Sequence, residues 1–155
     1  MGFATHLGPW LLGTVKNTTG TTAGTIRNMG ATIVAQTDVV TGTDAAASVA
    51  MVLPAGALIT SMQFITTTAF GTAQTITLSI GATAISTAST ITNAGVNAIS
   101  AAATTGAAGL LANVGSTDAI VTYTLGASTT GSGTLVIAYI VRNSDGAANP
   151  TGQQN

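Results

Sequence analysis

The chain has no cysteine and no glutamate, a single His6 and a single Trp10, and only 5% of its 155 residues are charged. Each shortage closes off a class of function. Without cysteine there is neither a disulfide framework nor a thiolate metal site, so stability has to come from packing or association. General acid–base catalysis needs paired titratable groups whose pKa values an active site pushes apart, and the four acids and one histidine offer no such constellation. His6 has no carboxylate near it in sequence, which fits docking or plain solvation better than catalysis. Three basic residues cannot neutralise the roughly six to ten phosphates of an ordinary nucleic-acid contact, so no nucleic acid is expected as a partner. Aromatics make up 4% of the chain, too few for the stacking platforms of a sugar site or the girdles of a porin-like barrel. We therefore expect no enzyme activity, no cofactor and no small-molecule substrate.

Mean hydropathy is positive at +0.54, yet Thr, Ser and Gly interrupt every apolar run well before the roughly 20 residues of a spanning helix, and no membrane contact is expected. The first residues carry no basic segment, and Gly8-Pro9-Trp10 breaks any apolar stretch, so a secretion signal is not expected either. What fills the chain instead is threonine, about a fifth of all residues, with 19 glycines. Thr, Val and Ile favour strands. A formal net charge of −1 gives little colloidal repulsion, which suits a protein that lives packed against neighbours.

Three regions follow from the order of residues. Residues 1–30 hold the only Trp, the only His, Lys16 and Arg27, and the Thr/Gly tract Asn17–Thr25 without helical or strand period; they read as an extended arm. Phe3, Leu7, Trp10, Leu11 and Leu12 each gain about 1.5–3 kcal/mol on burial, so the arm should dock onto something. Residues 31–142 show short β-like runs near 31–38, 46–53, 57–65, 74–80, 96–101, 118–125 and 133–141, with weaker pieces near 24–28 and 83–87, separated by Gly/Asn/Asp/Ser turns. About eight strands suit two packed sheets, a sandwich or jelly roll. Residues 143–155 are a polar tail without period.

Val49–Phe64 reads as a hairpin: a buried strand, a Pro54-Ala55-Gly56 turn, and a second strand with Leu58, Thr60, Met62 and Phe64 on one face. Leu135–Val141 is apolar on both faces, so it belongs in the centre of a sheet or under a neighbouring subunit, as partner of that hairpin. Ala98–Leu111 is rich in alanine, but Gly106 and Gly109 favour a strand followed by a loop or single turn over a long helix. Asp38, Asp44, Asp118 and Asp145 fall at expected strand ends or turns, where Asp bonds nearby backbone. A calcium site from Asp38 and Asp44 with Asp118 lacks both the EF-hand spacing and a bidentate glutamate, so turn chemistry is the preferred reading. Gly20–Thr25 lacks the lysine of a phosphate loop, and the Thr-x-Thr pairs recur too irregularly for a solenoid.

Met1–Lys16, followed by a Thr/Gly tract, the segment Leu53-Pro-Ala-Gly-Ala-Leu-Ile-Thr60 and the final Leu135–Val141 strand, resembles small head decoration (cement) proteins and minor virion structural proteins of tailed bacteriophages, of the aquatic, cyanophage-like kind. The likeness covers most of the chain. It implies an all-β, jelly-roll-like antiparallel β-sandwich of about eight strands with an extended N-terminal arm, commonly trimeric. It further implies a homotrimer on the outside of the phage head, produced in the host cytoplasm, that binds between major capsid proteins and stabilises the shell. On that resemblance Phe3, His6, Leu7, Trp10, Leu11, Leu12, Lys16 and Arg27 are the expected capsid contacts, and Met62, Phe64 and Tyr139 the expected oligomer interface. A tail or fibre structural or receptor-binding module is the alternative that shares this composition.

Overall fold

Alternation of apolar and hydroxyl residues between glycine-bearing turns gives strands over more than half of the region that the computed structural model describes, residues 33–45, 47–71, 73–126 and 130–141. The predicted arm, the weak strand near 24–28 and the C-terminal tail lie outside those residues. The elements are β1 (Ile33–Thr41), β2 (Ser48–Leu53), β3 (Ala57–Thr68), β4 (Thr75–Ile80), β5 (Thr83–Ala84), β6 (Ser89–Thr90), β7 (Gly95–Ala98), α1 (Thr105–Ala112), β8 (Ala119–Leu125) and β9 (Ser132–Val141). They form an all-β sandwich of two antiparallel sheets. One sheet has the order β1-β9-β3-β7; the other has β2-β8-β4-β5, with β6 also on the free side of β4. Pairing is nested: β1 with β9, β2 with β8, β3 with β7 and β4 with β6, so the chain doubles back as one long ribbon folded between the sheets.

β9 is central in its sheet, flanked by β1 and β3, which accounts for its apolar character on both faces. Leu135, Ile137 and Tyr139 point into the core, together with Met51, Leu53, Ile76, Leu78, Val121 and Tyr123 from the other sheet.

The Pro54-Ala55-Gly56 turn forms, with Ala57 N–H donating to Pro54 O at 3.1 Å, but its strands do not pair with each other. β2 joins one sheet and β3 the other. Gly56 has φ +74° at the third turn position, as in a type II turn, whose twist splays strands instead of pairing them. The corner is gripped from elsewhere: Gly56 N–H donates to Gly115 O at 2.8 Å, and Ala55 N–H to Asp118 Oδ1 at 3.0 Å.

The expected face of β3 also changes. Ile59 lies opposite Tyr139 and Ser61 opposite Ala138, so Thr60 is an extra residue, a β-bulge. The bulge shifts the phase, and Ala57 and Ile59 point inward together with Met62, Phe64 and Thr66, while Leu58 and Thr60 do not. Thr60 Oγ1 donates to Ala138 O at 3.0 Å, keeping that carbonyl bonded where the ladder is broken.

After β7 the chain forms an eight-residue helix where a loop or single turn was expected. Thr104 caps it, its hydroxyl accepting from Ala107 N–H at 3.2 Å, and Gly106 and Gly109 fall on exposed positions that need no side chain. Ala107 is buried and Leu110 and Leu111 pack on the core, so α1 lies against β3 and β5, one strand from each sheet.

Phe64 sits over Gly133: a Cβ there would lie 2.5 Å from Ile65 O and collide with the Phe64 ring. We expect Phe64→Ala to destabilise the fold by about 3–5 kcal/mol in urea denaturation and Ile65→Ala, one residue on and outward-facing, by less than about 1 kcal/mol. Equal losses at the two positions would contradict this phase of β3.

Candidate functional site

The one clustered set of ionisable groups in the described chain joins the two sheets. Asp44 follows β1 in a Thr41–Asp44 turn, where Asp44 N–H donates to Thr41 O at 3.1 Å. Its Oδ2 accepts from Thr41 N–H at 2.6 Å and from the Tyr123 hydroxyl at 2.7 Å; its Oδ1 accepts from Thr41 Oγ1 at 2.7 Å. Tyr123 belongs to β8, in the opposite sheet. Desolvation pushes the Asp44 carboxyl up, but the three donors together outweigh it and hold it below its ordinary 3.8. Burial, and then the bond to Asp44, push the Tyr123 hydroxyl up to about 12. Asp38 is raised, first by burial and further by the Asp44 charge, against a backbone bond at Val39.

Chemically this is a clasp, with both Asp44 carboxylate oxygens occupied by donors of the chain itself. Asp118 is engaged at the β2–β3 corner. Asp38 stands within β1 opposite Leu135, not at a strand end as expected, because β1 runs on to Thr41. Among the described residues no three His, Cys, Asp or Glu side chains gather as a metal site would require, and no helix is long and apolar enough to cross a membrane.

The outward faces of the sheets carry the remaining chemistry. On the second sheet Val52 opposes Ile120, and hydroxyls fill the next rows, Ser79 opposite Thr122 and Thr77 opposite Thr124. The first sheet is more apolar. One end of its outward face is the row Ile33–Ile140–Leu58, and the other is Val39–Thr134–Ile65–Val96. Ala35, Ala138 and Ser61, then Thr37, Val136, Gln63 and Ala98, lie between, so four strands meet solvent without one charged side chain.

Met62, Phe64 and Tyr139, expected at an oligomer interface, are core residues. Their relative exposures are 6%, 0% and 4% within the single chain, so none has surface left to offer a partner. The phase shift at Thr60 turns Met62 and Phe64 into the core, and Tyr139 is held there with its hydroxyl accepting from Gln36 Nε2 at 2.9 Å.

 The residue responsible for that phase is Thr60: its insertion keeps Met62 and Phe64 in step with Ile59 on the inward side of β3. The expected capsid contacts Phe3, His6, Leu7, Trp10, Leu11, Leu12, Lys16 and Arg27 lie outside the described residues. What the sequence reading missed is the outward set on β3, β7 and β9, Leu58, Ile65, Val96, Val136 and Ile140. Its signal was the run Leu135–Val141, apolar on both faces where one face would have sufficed for a core.

The class this geometry defines is an all-β sandwich of two antiparallel sheets with a polar clasp between them and uncharged outward faces. No protein-family model, no curated protein and no solved structure matches the chain.

The pH dependence of the clasp follows from the directions of the shifts. Asp44 is depressed in the fold, so its contribution is complete above 3.8 and is lost as the pH falls through its lower folded value. Asp38 is raised, so its contribution is complete below 3.8 and is lost as the pH rises through its higher folded value. At neutral pH we therefore expect Asp44→Asn to destabilise and Asp38→Asn to stabilise. Tyr123→Phe should cost about 1.5 kcal/mol at neutral pH, from the lost bond to a charged acceptor. That cost should shrink well below pH 3.8, a trend that urea denaturation at several pH values checks.

Proposed function

We propose that the protein is a non-enzymatic structural component of a phage virion, a decoration protein that binds the outside of the head between major capsid proteins and acts as a homotrimer. The observation that carries this reading is the contrast between the clasp and the faces: the clustered ionisable groups are spent on holding the two sheets together, while an uncharged surface spans four strands. Surfaces of that kind pack against protein. The nested strand pairing supports a jelly roll, the architecture that the sequence resemblance implies, since two sheets with interleaved Greek-key order define it.

The mechanism is mechanical. A protein that binds the assembled shell and not its separated subunits stabilises the shell by mass action. Three subunits about one axis add avidity on a lattice of repeated sites. Phe3, Trp10, Leu11 and Leu12 supply the apolar anchor in this reading, with His6 and Leu7 as further contacts and Lys16 and Arg27 as ion-pair partners.

Purified particles provide the test. Many copies distributed over the head, by quantitative mass spectrometry and immunogold labelling, are the expected result; a few copies confined to the tail would overturn the head assignment in favour of a tail or fibre module. Deleting residues 1–12 is expected to abolish binding to undecorated heads while the far-UV circular dichroism of the sandwich is retained. Unchanged occupancy would remove the arm from the contact.

A further inference from the structure

The outward face of the β1-β9-β3-β7 sheet has an area that helps to identify its occupant. Strands about 4.8 Å apart rising about 3.3 Å per residue make three strands over the length Thr134–Ile140, with the shorter β7 beside one end, a surface of about 400 Å². Its edges are open: Ile33, Val39 and Val96 are 62%, 69% and 68% exposed. Two folded copies in a stable complex each bury about 800 Å², so this face alone is too small for a second copy. It also carries no charge for an acidic or basic partner to pair with. It is large enough for one short apolar segment.

The chain contains such a segment. Residues 1–12 hold Phe3, Leu7, Trp10, Leu11 and Leu12 and no Asp, Glu, Lys or Arg. Residues 13–32 connect them to Ile33, which stands at a corner of the same face opposite Ile140. A random-coil tether of that number of residues spans about 25 Å on average, close to the face's own length of about 23 Å. A tether matched to its span gives an effective concentration in the millimolar range, which favours the chain's own face over a neighbour's.

We infer that residues 3–12 dock on the outward face of the β1-β9-β3-β7 sheet of their own chain. This goes beyond the virion reading and does not rest on it. If the arm also meets a shell, it does so by exchanging one uncharged apolar contact for another.

Trp10 is the only tryptophan, so fluorescence excited beyond the tyrosine absorption band reports on the arm alone. Acrylamide quenching of Trp10 is expected to be several-fold weaker than in the urea-unfolded chain, and equally weak across a dilution series. Val39→Asp and Val96→Asp, at opposite edges of the face, are expected to raise quenching to the unfolded level with the far-UV circular dichroism retained. Val49→Asp, on the other sheet, is the control and should change nothing. Quenching already at the unfolded level in the unaltered chain would overturn the inference, as would an effect of Val49→Asp equal to that of Val96→Asp. Protection that disappears on dilution would overturn it in favour of a neighbouring copy. As a second measurement, deletion of residues 1–12 is expected to increase binding of an apolar dye such as ANS several-fold; unchanged dye binding would overturn the docking. None of these readouts involves a phage head, so failure here and failure of the virion reading are separable.

Discussion

The phase of β3 is the constraint on which the rest of the sandwich depends. A strand has two faces, and a shift of one residue exchanges them. With Thr60 as the extra residue, Ile59 and Met62 both reach the core, and Phe64 falls over Gly133, where only the absence of a Cβ leaves room for its ring. Phe64 then meets Phe70 with ring centroids 6.1 Å apart and planes tilted by 47°, an aromatic pair that ties the end of β3 to the loop beyond it. The opposite face of β3 is set by the same shift, so Leu58 and Ile65 are outward because Ile59 and Phe64 are inward.

The abundance of threonine and serine has a structural use at places where the ladders fail. Thr60 and Thr67, at the two bulges of β3, donate their hydroxyls to Ala138 O at 3.0 Å and Ser132 O at 3.1 Å. Ser86 replaces a backbone acceptor for Leu78 N–H at 2.8 Å in the gap between β5 and β6, and Thr66 donates to Ile91 O at 2.8 Å across the core. A short hydroxyl can serve as donor or acceptor without the rotamer entropy of a long polar side chain. Irregular strands therefore stay hydrogen-bonded with almost no charged residues.

That economy of charge shapes the functional reading as well. The acids whose bonds are described are held by backbone, the Thr41 hydroxyl or Tyr123, and the outward faces are left to apolar and hydroxyl groups. Such a molecule has contact surfaces as its main chemical asset. The virion structural role that we propose would draw on that asset and would need no reaction centre.

Most strands were legible in the sequence, because period-two alternation and glycine-bearing turns are local signals, and so was the central place of Leu135–Val141. The split of Val49–Phe64 between two sheets was not, because the segment that grips its corner, around Gly115 and Asp118, is distant in sequence. The α1 helix was misjudged because its anchors, Ala107 buried and Leu110 and Leu111 on the core, are tertiary. Of the candidate site, composition determined the scarcity of charge and the apolar arm. Only the tertiary structure decided that Met62, Phe64 and Tyr139 face inward and their neighbours outward, since a single bulge sets the phase and no local pattern reveals where the extra residue is placed.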